Sequence, residues 1–347
     1  MKKLILSASI LALLVSCSSS KNAPVSDASV DYAAKYAASI TEKDLAKHLF
    51  IYASDEFEGR NTGEPGQKKA IAYLKKFYVE QGIVSPLGGD DYFQEVPAEF
   101  LNKRKRRTPL KASENVVAFI KGSEKPDEIV VISAHLDHVG MRDGKIYNGA
   151  DDDGSGTVAL LEIAEAFQKA AKEGNGPKRS ILFLHVTGEE KGLLGSKYYV
   201  ENPLFPIANT VVDLNIDMVG RIDPKRKGER NYIYLIGADK LSTELHDLSE
   251  AMNSKYTNIE LDYTYNDEKD PNRFYYRSDH YNFAKYNVPI IFYFNGTHAD
   301  YHKHTDTPDK INYDLLENRS RLVFHTAWEI ANRENRLVVD KPVEVKK

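Results

Sequence analysis

Two stretches decide the architecture: EIVVISAHLDH at residues 128–138 and GADDDGSGTVALLEIAEAFQKAAK at residues 149–172. The first opens with a short apolar run rich in Val and Ile, Glu128–Ala134, which predicts a strand. The second sets a glycine- and aspartate-rich turn before Ser155–Lys172, where Val158, Leu161, Ala164 and Phe167 recur at helical spacing. Working outward, Asn115–Ile120, Ser180–Val186, Val211–Asp217, Tyr232–Gly237 and Pro289–Phe294 predict further strands. Thr41–Ala53, Gly66–Gly82, Leu241–Tyr256 and Tyr313–Asn332 predict helices, with Gly82 as a stop. Strands alternating with helices predict one layered α/β domain with a largely parallel sheet over residues 41–335.

The 347 residues carry a net charge of −4, without the basic excess of a nucleic-acid binder. Hydrophobic residues at 41% and charged residues at 28% exclude a disordered chain. A single cysteine excludes a disulfide framework and a Cys-based zinc site. That cysteine, Cys17, follows Lys2, Lys3 and the apolar run Leu4–Val15, which has the size of a signal-peptide core. Leu14-Val15-Ser16-Cys17 resembles a bacterial lipobox. The expectation is a signal peptide at 1–16, a lipidated Cys17 and a tether over 17–40, with the protein held at the cell envelope. Ser18 leans towards the outer membrane or the periplasmic face. A charged, loose tail is expected at 336–347. The basic run Lys103–Arg107 reads as a solvated loop, with binding of anionic lipid or peptide as the alternative.

Ligand-type side chains gather just past the predicted strands. His135 and Asp137 follow one, Glu189 and Glu190 another, Asp217 a third and His302 a fourth, while Asp151, Asp152 and Asp153 open a helix. The carboxyl edge of an open α/β sheet is where sites form. HExxH, GxGxxG and Walker loops are absent from the sequence. An EF-hand register would place Gly149 and Leu160 at ligand positions, and Ser278-Asp279-His280 lacks a nucleophile elbow.

The ordered strings AHLDH (134–138), GADDDGSG (149–156), TGEEKGLLGS (187–196), LNIDM (214–218), RSDH (277–280) and DYHKHTDTPDKI (300–311) resemble the co-catalytic di-zinc aminopeptidases, metallopeptidase family 28. The resemblance spans roughly residues 55–330. It implies a single three-layer α/β/α domain around a mixed, mostly parallel sheet. It also implies two zinc ions: His135 and Asp217 on one, Glu190 and His302 on the other, and Asp152 bridging both. Glu189 would be the general base, and Asp137 would orient the His135 ring. The resemblance places the ligand histidine four residues before the Asp of Asp306-Thr307, which implies His302 rather than His304; the role of His280 is open. Each zinc would then have three protein ligands and an open position, as catalytic zinc requires.

The implied activity is removal of N-terminal residues from peptides with a free N-terminus. Glutaminyl cyclases share this fold and most of these residues. They resemble one another in pocket tryptophans, including one before the ligand histidine, where this chain has Tyr301; its one tryptophan is Trp328. The short intervals between Glu190, Asp217 and His302 leave little room for the dimerisation domain of related carboxypeptidases. A non-catalytic binding lipoprotein is the remaining alternative.

Overall fold

The computed structural model describes residues 30–344; the signal-peptide and lipobox readings lie outside the described residues. Eight strands form one sheet: β1 (Phe93–Val96), β2 (Ser113–Ile120), β3 (Lys125–His135), β4 (Arg179–Val186), β5 (Thr210–Ile216), β6 (Tyr232–Ile236), β7 (Glu260–Asp262) and β8 (Ile290–Phe294). Their spatial order is β1-β2-β4-β3-β5-β8-β6-β7. The central strands β4, β3, β5 and β8 run parallel. Antiparallel pairings join β1 to β2, β2 to β4, and β8 to β6. The expected mixed, mostly parallel sheet is thus present.

Helices cover both faces. In β3, Val130, Ile132 and Ala134 face one apolar cluster, and Ile129 and Val131 face another. Burial on both faces is why this strand reads as an unbroken apolar run. The first cluster gathers α1 (Tyr32–Ala37), α2 (Glu42–Tyr52), α3 (Pro65–Gln81), α4 (Gly156–Lys172), α6 (Thr243–Tyr256) and α7 (Tyr313–Asn332). The second is closed by α5 (Leu194–Glu201) and the short helix His280–Ala284. Because the central strands are parallel, the segments after β3, β4, β5 and β8 leave from one edge. These segments carry the ligand-type residues.

Two boundaries differ from expectation. The tether predicted to run to residue 40 gives way to helix α1. Its Tyr36 and Ala37 are buried, as is Ile40 beyond it. Tyr36 packs 5.7 Å from the Trp328 ring and donates its hydroxyl to Glu173 at 2.9 Å. A six-residue helix is too short to be stable alone; packing on α4 and α7 holds it. As far as Glu344, the tail predicted to be loose is also fastened. Leu337 is buried, and the Val338 and Val343 amides donate to Glu244 and Asn287.

Candidate metal centre

His135 is the last residue of β3, and two contacts fix its backbone. Its N–H donates to Asp153 Oδ2 at 3.1 Å, and its carbonyl accepts from Thr157 Oγ1 at 2.9 Å. The ring is fixed as well. Nδ1 lies 3.0 Å from the Asp137 carbonyl, which can only accept, so Nδ1 carries the proton and Nε2 offers its lone pair. The buried Arg60 holds the surrounding loops by donating to the carbonyls of Asn148 (2.6 Å), Gly149 (2.8 Å), Tyr52 and Leu136 (both 3.2 Å).

The three aspartates between Gly149 and Gly154 have separate fates. Asp151 Oδ1 accepts from the Gly220 amide at 2.7 Å, and its Oδ2 lies 3.1 Å from His298 Nε2. Asp153 accepts three backbone amides: His135 on Oδ2, and Gly156 (3.0 Å) and Met218 (3.1 Å) on Oδ1. Both residues tie strand exits together. Asp152 faces the cleft, with Oδ1 3.2 Å from His135 Nε2 and Oδ2 3.0 Å from His302 Nε2.

The other candidates converge on Asp152. Asp217 Oδ1 lies 3.6 Å from His135 Nε2, while its Oδ2 accepts from Ser278 Oγ at 2.6 Å. Glu190 Oε1 lies 3.2 Å from His302 Nε2. His302 adopts a left-handed backbone (φ 54°) and stacks on Tyr301. The structure therefore brings His135, Asp152, Glu190, Asp217 and His302 together. His304 turns away, against Tyr147, and His280 is buried with Nε2 2.9 Å from the Tyr275 carbonyl.

Asp137 departs from its expected role. Its carbonyl, not its carboxylate, orients the His135 ring; the nearest carboxylate oxygen is 4.0 Å from Nδ1. The carboxylate instead accepts from Thr62 Oγ1 at 2.6 Å and from the Glu189 amide at 3.0 Å. The reason is local geometry: two residues beyond the strand end, the side chain reaches the neighbouring turn after β4.

His138 carries no signal of its own in the sequence, although it closes the AHLDH string. Its Nδ1 lies 2.9 Å from Glu190 Oε1 and 3.8 Å from Asp152 Oδ2. Asp152 Oδ2, Glu190 Oε1 and both His138 ring nitrogens are buried without an aligned hydrogen bond among the described residues. Such groups are costly to bury unless something else satisfies them. Ligand atoms of His135, Asp153 and Asp217 lie within 4.8 Å of one another, as do those of His138, Asp152 and Glu190. Asp153 is already committed to amides, so Asp152 is the free carboxylate beside His135. Imidazoles and carboxylates with unused lone pairs around one cleft suit zinc.

The electrostatics agree with a site built for cations. Burial alone would raise the Asp152 carboxyl, but His138, His135 and His302 hold it well below the usual range. Burial lowers the His302 imidazole, yet Asp152 and Glu190 outweigh it and raise it to about 10. The adjacent glutamates separate. Burial and Asp152 push Glu190 up, but His138 and His302 bring it to about 2. Burial, joined by Asp217, Asp279 and Glu190 against His135, pushes Glu189 well above its ordinary value. Neighbouring carboxyls driven apart in this way can take different chemical roles.

The chain is similar to known proteins. A probable glutamate carboxypeptidase of Arabidopsis thaliana is 38% identical over 111 residues, covering 32% of this chain and 15% of that protein. The mouse aminopeptidase NAALADL1 is 37% identical over 114 residues, covering 32% of this chain and 14% of its own length. The chain thus matches only a small part of these relatives. Among solved structures, the Legionella pneumophila LapA aminopeptidase superposes with a TM-score of 0.65 at 20% identity, covering 87% of this chain and 75% of that one. BSAP, a zinc aminopeptidase from Bacillus subtilis, gives 0.61 at 17% identity, over 84% and 96% of the two chains. The Bacteroides thetaiotaomicron glutaminyl cyclase also gives 0.61, at 18% identity, over 83% and 98%. At such identities the likeness is one of fold. The profile of Peptidase family M28 matches residues 115–327, more than half of the chain and all the residues of the cleft except Arg60 and Thr62. The chain belongs to peptidase family M28, the zinc-dependent peptidases.

Proposed function

We propose that the protein is a di-zinc aminopeptidase. The observation that carries this reading is Asp152, whose two oxygens face two different histidines 3.2 and 3.0 Å away. One carboxylate so placed can serve two cations at once. His135 and Asp217 would hold one ion, and Glu190 and His302 the other, with His138 beside the second. When bound, the two ions supply Lewis acidity that polarises the scissile carbonyl and acidifies water. Glu189 accepts the proton of the attacking water and delivers it to the departing amine. Its raised affinity for protons suits that transfer. Asp137 positions Glu189 through the amide it accepts, and Ser278 steadies Asp217.

The cyclase reading is weaker because Trp328 packs in the helical layer, 5.7 Å from Phe167 and 5.6 Å from Phe324, away from the cleft. A panel of aminoacyl-nitroanilides tests the assignment, alongside N-acetylated peptides and peptides beginning with glutamine. Release of nitroaniline from free but not N-acetylated substrates is expected. Removal of C-terminal residues from N-acetylated peptides would mean a carboxypeptidase; ring closure of N-terminal glutamine without hydrolysis would mean a cyclase. We also propose lipidation at Cys17, with attachment at the cell envelope; fatty-acid labelling that survives Cys17→Ala would overturn it.

A further inference from the structure

The basic run at 103–107 is the exposed loop expected of it at Lys103, Arg104, Lys105 and Arg107, but Arg106 is half-buried and tied down. Arg106 donates from Nε to the Leu101 carbonyl at 3.2 Å and from Nη2 to the Lys191 carbonyl at 2.6 Å. The run is therefore folded back on the turn that begins with Glu189 and Glu190. Between them lies a recess of about 260 Å³. Among the described residues, six cationic side chains line it, Lys103, Arg104, Arg106, Lys191, Lys197 and Lys285, and no carboxylate does. Among the described residues, the one acid paired with this group is Glu201, 3.8 Å from both Lys103 and Lys197. Among the described residues, Arg104, Arg106, Lys191 and Lys285 have no ion-pair partner; Lys285 donates only to the Asn282 side-chain oxygen, at 2.6 Å.

Cations crowded round a concavity repel one another and focus a positive potential into it. The crowding is felt by Lys285, where burial and then nearby Lys197 lower the affinity for its proton. An anion entering the recess relieves this repulsion. The recess also adjoins the cleft. Lys191 follows Glu190 directly, and the amides of Gly192 and Leu193 close the turn by donating to the Glu189 carbonyl at 2.8 and 2.9 Å. On the other wall, Tyr276 lines the recess and its neighbour Arg277 reaches the Tyr301 hydroxyl at 3.4 Å, beside His302. Residues along an extended peptide are spaced by less than about 4 Å, so a peptide of several residues leaving the cleft along the turn from Glu189 to Leu193 would enter the recess.

We propose that this recess binds the carboxylates of acidic residues in the peptide being cut, making acidic peptides the preferred substrate class. The proposal rests on the peptidase reading of the adjoining cleft. It also gives a use to the tie that Arg106 makes to the Lys191 carbonyl, which holds the exposed basic run beside the turn after Glu190.

The experiment compares Ala-Ala-Ala-Ala, Ala-Glu-Glu-Ala and Ala-Lys-Lys-Ala amides on the zinc-loaded enzyme. The glutamate peptide is expected to have a KM roughly five- to tenfold below that of the alanine peptide, as two partly exposed ion pairs allow. The lysine peptide should be the poorest, and added salt should narrow the spread. In the Arg104→Gln/Lys285→Gln variant the ratio of kcat/KM between glutamate and alanine peptides should fall towards one, through KM. The charge-keeping Arg104→Lys variant should retain it. An unchanged ratio, or no preference in the parent enzyme, overturns the proposal. Fluorescence anisotropy with a labelled, N-acetylated Glu-Glu-Ala peptide reads the recess without turnover. Binding that depends on Arg104 and Lys285 survives even if the peptides are not cut, so failure of the peptidase reading is separable. Charge-dependent binding to phosphatidylglycerol vesicles with no effect on either peptide would assign the recess to lipid and overturn it.

Discussion

The rim of the cleft and the floor beneath it bury the same functional group in opposite ways. Asp153, in the floor, has both oxygens occupied by three backbone amides from β3, α4 and the exit of β5. Asp152, its neighbour on the rim, keeps both oxygens for histidines and leaves Oδ2 without an aligned donor. A buried carboxylate needs donors, a cation or a proton. The floor uses donors and so becomes rigid; the rim leaves the need unmet and so can bind. A third solution appears on α4. Glu162 has an Oε1 without an aligned donor, with His48 Nε2 3.5 Å away, and its surroundings favour the protonated form. Burial, with Glu165 and Asp44 nearby, raises it to about 8.

The sharpest way to break this contrast is to make the same change on both sides. Asp152→Asn is expected to abolish activity and empty both metal positions while the fold persists. Asp153→Asn should instead turn an amide group against backbone N–H donors and cost about 1–3 kcal/mol of stability. Metal analysis and thermal melts read both. Equal metal loss in the two variants would erase the division between rim and floor.

Within the rim, the adjacent glutamates should also part. Glu189→Gln should retain zinc and lose about 10²–10⁴ in kcat, whereas Glu190→Gln should lose metal. Retained zinc in Glu190→Gln, with loss in Glu189→Gln, would mean that the roles are exchanged. One step further out, Thr62→Val removes the hydroxyl that holds Asp137 and, through it, Glu189. Partners at this distance cost about 10–100-fold; a loss near the lower end, in kcat rather than KM, is expected from steady-state kinetics.

A separate contrast tests the proton. Because the folded-state pKa of Glu162 is raised, its stabilising contribution is complete below the ordinary glutamate pKa and declines as pH climbs towards 8. Glu162→Gln mimics the protonated form and should lose nothing over that range. Each tenfold gain in proton affinity on folding is worth about 1.4 kcal/mol, so the variant should gain up to a few kcal/mol on the parent between pH 5 and pH 8. Parallel denaturation curves at the two pH values would show that Glu162 ionises freely.

These contrasts also mark what the sequence discloses. The strand exits are legible because parallel strands buried on both faces leave long apolar runs with polar residues at their ends. His135, Asp217 and Glu190 announce themselves there. The choice of Asp152 among three aspartates comes only from the motif, since its reason lies in amides from Gly156 and Met218, distant or across a turn. His138 is hidden because a second histidine near a first carries no periodic signal; it faces Glu190 only after β3 and β4 pair. The edge strands Phe93–Val96 and Glu260–Asp262 are too short to show alternation. Helix α1 is invisible because its stability lies in surfaces supplied by α4 and α7.

That docked helix gives the molecule a built-in optical gauge. Trp328 is the sole indole in the chain, and Tyr36 of α1 closes over it beside Phe167 and Phe324. Fluorescence excited at the red edge, where the tyrosines are dark, reports on the seam between the N-terminal helix and the body. Emission should shift to longer wavelength when α1 peels away, even while turnover continues at the opposite end of the strands.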